Sequence, residues 1–185
     1  FIFHSKSNSQ IVTIPDPNFV IWLEADWYCS PCITGNQLDT QCPGVLMITD
    51  MNLSSQGITD LTGIEYFLAL DTLNVTNNVG ITNINMSSSV SYYNCSFCQL
   101  TVLPSLPDSL NYLICKNNFL DSLPVLPFAL SEIDCSNNLL IDLPGLPDSL
   151  DILDCSENQI TYLPTLPDSL KILDCDNNPN LACLP

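Results

Sequence analysis

The sequence predicts a solenoid, a stack of short coils with a parallel β-sheet along one side. Five cysteines recur at an interval of 20 residues, at Cys95, Cys115, Cys135, Cys155 and Cys175. The L-x-C phrase that ends at each of them alternates with period two, which is typical of a short strand with one buried face. Hydrophobic residues make up 46% of the 185 positions, enough for a continuous core. Because one coil cannot bury its apolar face alone, neighbouring coils must stack.

The charge of the chain excludes several classes of partner. Asp and Glu number 20 against 3 basic residues, which gives a formal net charge of −17. Nucleic-acid phosphates require clustered Lys and Arg, and anionic lipid headgroups attract the same residues. No apolar run reaches the roughly 18 residues of a membrane-spanning helix. We therefore expect no nucleic-acid binding and no direct membrane insertion.

The chain divides into three predicted parts. Residues 1–9 are interpreted either as the remnant of a signal peptide, with Ser7 and Ser9 at the cleavage positions, or as a disordered tail. Residues 10–47 form an N-terminal cap with a helix and a cysteine loop. Residues 48–185 carry six repeats and part of a seventh. Since the chain stops inside a Leu-Pro phrase at Pro185, we expect that the natural protein is longer or that this chain is truncated.

Residues 15–27, "PDPNFVIWLEADW", predict one capping helix. Asp16 is a favourable N-cap residue and Pro17 suits the first helical turn. Phe19, Trp22 and Leu23 fall on one face of this helix. We expect that face to cover the exposed core of the first coil, as the terminal repeats of a solenoid require.

Three cysteines follow in the cap, at Cys29, Cys32 and Cys42. A structural zinc site needs four ligands, and a redox "CSPC" motif needs a βαβ context that is missing here. The sequence therefore favours a structural disulfide, Cys29–Cys42 first and Cys32–Cys42 second. We expect neither a metal nor a cofactor.

The repeat frame is L-x-x-L-x-C-x-x-N-x-L-x-x-L-P-x-L-P-x-x. Its cysteine is predicted to point into the core and to remain a free thiol, because buried thiols in apolar surroundings are inert. Its asparagine follows the strand and needs hydrogen-bond partners if it is buried. The predicted inward residues are Leu113, Cys115, Ile133, Cys135, Leu153 and Cys155, and the repeated asparagines are Asn118, Asn138, Asn158 and Asn178.

The L-P-x-L-P segments predict return arcs that cannot form helices. Each proline fixes φ and removes an N–H donor, and each residue before a proline is pushed toward extended geometry. We expect a polyproline-like conformation on the convex side of the solenoid.

This frame resembles a leucine-rich repeat, specifically the short bacterial LPX type found in secreted effectors. Residues 54–78, "SSQGITDLTGIEYFLALDTLNVTNN", resemble internalin-type repeats instead. The combination is similar to secreted leucine-rich-repeat surface proteins of the Bacteroidota. The resemblance implies a right-handed horseshoe or arc with its parallel sheet on the concave face. It also implies a ladder of asparagine hydrogen bonds between coils, a location outside the cell or on its outer surface, and a C-terminal sorting domain.

Nothing in the sequence indicates an enzyme. The single histidine, His4, lies in the tail, so no Ser-His or Cys-His arrangement is available. No glycine-rich loop that could cradle a phosphate occurs.

Two function classes remain. One is a module that recognises a protein or peptide through its concave sheet. The other is a structural or accessory subunit of a surface assembly, such as an adhesin or an outer-membrane uptake complex.

Two groups of residues are predicted to face outward from the concave sheet. The first group is an apolar cluster of the kind that marks protein interfaces. The second is a ladder of aspartates at the spacing of neighbouring strands, which suggests either a basic ligand or an ordinary solvated surface. The apolar cluster comprises Tyr92, Phe97, Tyr112 and Ile114, and the ladder comprises Asp134, Asp154 and Asp174.

The Bacteroidota resemblance also implies O-glycosylation at Asp-Ser/Thr phrases followed by an apolar residue. The alternative is that the repeat frame itself requires the phrase. The candidate acceptors are Thr72, Ser109, Ser122, Ser149 and Ser169, of which Ser109, Ser149 and Ser169 are favoured as turn residues before a strand.

Overall fold

The computed structural model describes residues 10–82 and 84–182. The predicted tail, residues 1–9, and the end of the partial seventh repeat, residues 183–185, lie outside these ranges. The first part of the chain contains helix α1 (Pro17–Ala25), helix α2 (Pro43–Met47) and a 3-10 turn at Ser30–Cys32. It also contains a small antiparallel sheet in the order β1-β3-β2, whose strands are β1 (Ile11–Thr13), β2 (Ile33–Thr34) and β3 (Gln37–Asp39).

The rest of the described chain is a solenoid with a seven-stranded parallel sheet. The strands lie side by side in chain order, each pair in register, so every coil adds one strand of three residues. The middle residue of each strand points inward, and its two neighbours point outward. This confirms the predicted solenoid. The strands are β4 (Asp50–Asn52), β5 (Thr72–Asn74), β6 (Tyr92–Asn94), β7 (Tyr112–Ile114), β8 (Glu132–Asp134), β9 (Ile152–Asp154) and β10 (Ile172–Asp174).

The strand interior matches the prediction residue by residue. Leu113, Ile133 and Leu153 are buried, and the cysteine two positions after each of them is buried with it. The thiols at Cys115, Cys135 and Cys155 are free. Burial raises the pKa of the Cys155 thiol to about 12, with smaller contributions from Cys175 and two aspartates. The thiol column therefore behaves as apolar filling, as expected.

The asparagine ladder also forms as predicted. The Asn138 amide nitrogen donates to the carbonyls of Cys115 at 3.1 Å and Cys135 at 3.0 Å, and its Oδ1 accepts from the Leu120 N–H at 3.0 Å. One side chain thus joins its own coil to the preceding one. Asn118, Asn158 and Asn178 make equivalent bonds.

Cys98 occupies the asparagine position in the coil of β6. Its thiol faces the Val75 carbonyl at 3.2 Å and the Ser96 carbonyl at 3.4 Å. A thiol is a weaker donor than an amide. This rung of the ladder therefore keeps a hydrogen bond to the preceding coil, but a weaker one.

The Leu-Pro arcs contain neither helix nor strand across residues 102–107, 122–127, 142–147 and 162–167. A serine near the end of the arc fastens it to the preceding coil. The Ser149 hydroxyl lies 2.6 Å from the Phe128 carbonyl and 2.7 Å from the Leu130 carbonyl.

The predicted helix forms as α1, with Asp16 as its N-cap residue. The Asp16 Oδ1 accepts from the Asn18 and Phe19 N–H groups at 2.8 and 3.0 Å, while its Oδ2 accepts from the Thr59 N–H at 2.7 Å. Phe19 and Leu23 are buried against the core. Trp22, partly buried, donates its indole N–H to the Asn52 carbonyl at 3.1 Å.

The preferred disulfide, Cys29–Cys42, is wrong. The bond joins Cys32 to Cys42, whose Cα atoms are 5.5 Å apart, while Cys29 is a free, buried thiol. The 3-10 turn at Ser30–Cys32 separates the two candidates: Cys32, which ends the turn, lies beside Gly44 at the start of α2, next to Cys42, whereas Cys29 precedes the turn and is fully buried. Burial raises the pKa of the Cys29 thiol to about 12, and Asp26 adds to the effect.

Candidate functional site

The outward positions of the sheet carry the predicted apolar cluster at β6 and β7. Tyr92 and Tyr112 pair in register, and their ring centroids are 6.3 Å apart with a tilt of 39° between the ring planes. Tyr112 is 42% exposed and Tyr92 is half-buried. Ile114 lies on the same strand as Tyr112, two positions further, and is half-buried. The parallel register therefore brings three of the four predicted residues onto one outward surface.

Phe97 lies just beyond β6 in a left-handed backbone conformation, with φ of 58°. Its side chain is 49% exposed. A bulky residue in this conformation costs roughly 1–2 kcal/mol, a cost that asparagine reduces through local hydrogen bonds. The same position in the other coils is held by smaller or polar residues, namely Ser55, Asn77, Asn117, Asn137, Glu157 and Asn177.

The aspartate ladder lies next to the apolar cluster, since Ile114 pairs with Asp134, and Asp134 with Asp154, in the sheet register. Asp174 continues the row. These side chains also have a local role that was not predicted from the sequence. The Asp154 Oδ1 accepts from the N–H of Ser156 at 3.0 Å and from its hydroxyl at 2.6 Å, which closes an Asx turn after the strand.

In the earlier coils, asparagine closes the same turn. The Asn94 Oδ1 accepts from the Ser96 N–H at 3.1 Å and its hydroxyl at 2.7 Å. The recurring N-x-S/T and D-x-S phrases are the signal that could have shown this turn. Since asparagine suffices for the turn, the negative charge of Asp134, Asp154 and Asp174 is not required by it.

One cation already lies at the start of the ladder. The Lys116 ammonium is 2.8 Å from the Asp134 Oδ2, and this hydrogen bond is the main reason that the pKa of Lys116 is raised. Asp134 is therefore neutralised by the chain itself. The unbalanced negative charge of the sheet lies further along it, around Asp154 and Asp174.

The candidate glycosylation residues differ in what their hydroxyls do. Ser109 and Ser149 each contact two carbonyls of the preceding coil, and Ser169 contacts one. Ser122 is exposed and bonds only locally to Asp121, and Thr72 lies on the outward side of β5. The structure thus gives the serines at 109, 149 and 169 a role in holding the arcs, which is a structural reason for the repeated phrase.

Within residues 10–82 and 84–182, no cluster of three or more His, Cys, Asp or Glu side chains could hold a metal ion. In the same ranges, no helix has the length and apolar character needed to cross a bilayer.

Three solved bacterial structures are similar to this one. YopM from Yersinia enterocolitica WA-314 has a TM-score of 0.65 at 28% identity, over 76% of this chain and 36% of its own. YopM from Yersinia pestis, described as a leucine-rich effector protein, has a TM-score of 0.61 at 28% identity, over 74% of this chain and 44% of its own. A Shigella effector LRR domain has a TM-score of 0.61 at 27% identity, over 64% of this chain and 54% of its own.

The chain has the fold of a leucine-rich-repeat solenoid. The asparagine rungs, the parallel strands and these structural similarities agree on that point. The leucine-rich-repeat chain spans between 36% and 54% of the lengths of the three structures. Neither a protein-family model nor a curated protein sequence matches it.

Proposed function

We propose that this leucine-rich-repeat chain is a non-catalytic recognition module for a protein or peptide, part of a secreted or cell-surface protein. The partner binds on the sheet face, which is the concave side of the arc. The observation that carries the proposal is the outward pair of Tyr92 and Tyr112 at the centre of the sheet, together with the exposed Phe97 just beyond β6.

The cluster is not explained by packing within the coil. The buried strand position between its outward residues is filled by Tyr93 in β6 and by Leu113 in β7. Phe97 adds apolar surface at the cost of a left-handed backbone. Strained residues that the surrounding structure maintains cluster at binding sites, and interface hot spots are enriched in tyrosine.

The acidic end of the sheet supports a partner with a basic segment. Asp154 and Asp174 are neighbours in register, and Glu132 lies beside Ile152. A partner that rests an apolar part on the aromatic cluster can place Lys or Arg over these carboxylates. Such charges steer association and make it depend on salt.

The comparisons support the same class of function. The similar structures belong to YopM and to a Shigella effector, two of them described as effectors. A leucine-rich-repeat scaffold specifies a shape, and its outward residues specify the partner. Secretion or surface exposure, and an absence of catalysis, are parts of the proposal that follow from this class.

One observation favours the second candidate function, an accessory subunit of a surface assembly. The N-terminal region presents exposed apolar residues of its own, including Trp27 and Met47. We propose α1 as the cap of the first coil, and an assembly partner could cover the residues that follow this helix.

The test uses the protein captured from native membranes by the wild-type chain. Replacing Tyr92 and Tyr112 by alanine is expected to weaken its binding at least about tenfold, because central aromatic contacts dominate interface energies. Tyr162→Ala is the matched control, since Tyr162 is an exposed tyrosine outside the strands. Asp154→Asn keeps the turn acceptor and should reduce the salt dependence of binding.

Binding that survives the Tyr92 and Tyr112 changes rejects the sheet face as the site. If Trp27→Ser abolishes capture instead, the accessory role through the N-terminal region replaces the recognition role.

A further inference from the structure

One return arc differs from its neighbours at three positions. The arc of residues 123–130, "LPVLPFAL", has Val125, Phe128 and Ala129 where the next arc has Gly145, Asp148 and Ser149. The arcs before and after follow the polar pattern, with Ser105, Asp108 and Ser109 in one and Thr165, Asp168 and Ser169 in the other.

The two large residues of this arc contact solvent rather than the core. Phe128 is 93% exposed, the highest value of any large hydrophobic residue in the described ranges, and Val125 is 86% exposed. Between them, Leu126 is buried, and Leu130 is buried at the start of the next strand. The core of this coil is therefore complete without Phe128 and Val125.

The arc keeps the shape of its neighbours. The Leu130 N–H donates to the Pro127 carbonyl at 3.1 Å, as the Leu150 N–H does to the Pro147 carbonyl at 3.0 Å. Ala129 lacks the hydroxyl that fastens the other arcs. A different bond replaces it, because the Asn111 amide donates to the Ala129 carbonyl at 2.8 Å. The exposed side chains are thus held on a normal, well-anchored arc.

A shallow groove of about 340 Å³ runs between this arc and the preceding one. It is lined by Leu106, Asp108, Pro124, Val125, Leu126 and Phe128, among others. Phe128 and Val125 make its wall apolar, whereas the equivalent groove two coils later is bordered by Asp148 and Asp168.

We propose that Phe128 and Val125 anchor a second protein partner on the return arcs, separate from the ligand of the sheet face. This partner carries a segment that combines apolar and basic residues. The apolar residues pack against Phe128 and Val125, and Asp108 and Asp148, which hold the same position in the two adjacent arcs, face the basic residues.

Charge decides between the possible occupants. A second copy of this chain would bring together two molecules of net charge −17 and would oppose the same aspartates. An anionic lipid surface would repel the arc for the same reason. A basic protein gains from both features, since an aromatic anchor supplies contact area and the flanking carboxylates steer the approach.

The probe is a phage-displayed library of random short peptides, panned on the wild-type chain and depleted on a Phe128→Asp, Val125→Ser variant. Both replaced residues are exposed, so this variant should keep the wild-type unfolding midpoint. The recovered peptides are expected to combine apolar residues with Lys or Arg. Synthetic copies should bind the variant at least about tenfold more weakly than the wild type.

The affinity should also fall as salt rises from about 0.01 M to about 0.15 M, where the screening length shortens from roughly 30 to 8 Å. Phe119→Asp, which introduces the same change at another exposed phenylalanine, is the control and should alter affinity less than about twofold. Peptides that lack basic residues, or that bind the variant equally well, overturn the proposal. The proposal is also overturned if light scattering shows that the wild-type chain is a dimer and that the Phe128→Asp variant is a monomer.

Discussion

Replacing Asn138 by alanine tests how much one rung of the ladder contributes to stability. The change removes donors to the Cys115, Cys135 and Ser136 carbonyls and the acceptor of the Leu120 N–H. The Cys115 and Cys135 carbonyls keep one amide each, from Asn118 at 2.9 Å and from Asn158 at 3.0 Å, and the Ser136 carbonyl keeps the Asn117 N–H at 3.0 Å. Since the Leu120 N–H then has no acceptor in the buried ladder, the dominant loss is one unpaired buried donor.

An unpaired buried donor costs about 1–3 kcal/mol, and each weakened carbonyl adds up to about 1 kcal/mol. We therefore expect Asn138→Ala to lower the free energy of unfolding by about 3 kcal/mol. Asn138→Cys should lose less, because the chain already uses a thiol in this position at Cys98.

Urea unfolding followed by circular dichroism measures both variants against the exposed control Asp142→Ala, which should stay within about 0.5 kcal/mol of wild type. A loss below about 1 kcal/mol for Asn138→Ala would show that the ladder amides are replaced without cost, and would refute the reasoning.

The remaining predictions concern other buried groups. The Tyr93 hydroxyl is buried without a hydrogen-bond partner among the described residues, so Tyr93→Phe should keep or raise the free energy of unfolding, by up to about 1 kcal/mol; a loss above that amount contradicts the assignment. Burial alone would raise the pKa of Asp16, but hydrogen bonds led by the Thr59 N–H lower it below 3.8. Its stabilisation should therefore be fully present above pH 3.8 and disappear as pH falls through the lower folded-state pKa, and acid titration of an Asp16→Asn variant should lack this component. Native protein treated with a thiol reagent should be modified at Cys175, which is partly exposed, long before Cys135, which is buried; equal rates would place Cys135 outside the core.

The regular part of the fold could be predicted because the same sequence pattern recurs in each coil. The cysteine interval and the L-x-C alternation place the middle residue of every strand inward, so a single rule gives Leu113, Ile133 and Leu153 correctly. The asparagine partners were expected from the resemblance to leucine-rich repeats, which implies a ladder of hydrogen bonds between coils.

What occurs once could not be predicted in this way. Cys29 and Cys32 lie three residues apart before the β2–β3 hairpin, and their spacing to Cys42 does not distinguish the pair that forms from the pair that does not. The second set of hydrogen bonds to Asp16 joins positions 43 residues apart in the chain, which no local pattern reveals. On the sheet face, the register placed Tyr92 beside Tyr112, but the turn-closing role of Asp154 depends on side-chain geometry.

Because of the column of free thiols, folding succeeds in an oxidising medium only if the coils stack before the thiols are oxidised. In the finished solenoid, burial raises the pKa of these thiols, and the thiolates that attack disulfides are scarce. In the unfolded chain the same thiols have ordinary acidity and recur every 20 residues. In an oxidising medium, coil stacking and sulfur oxidation therefore compete. A chain that stacks first protects its sulfurs, and one that is oxidised first is tied into loops that cannot form the sheet.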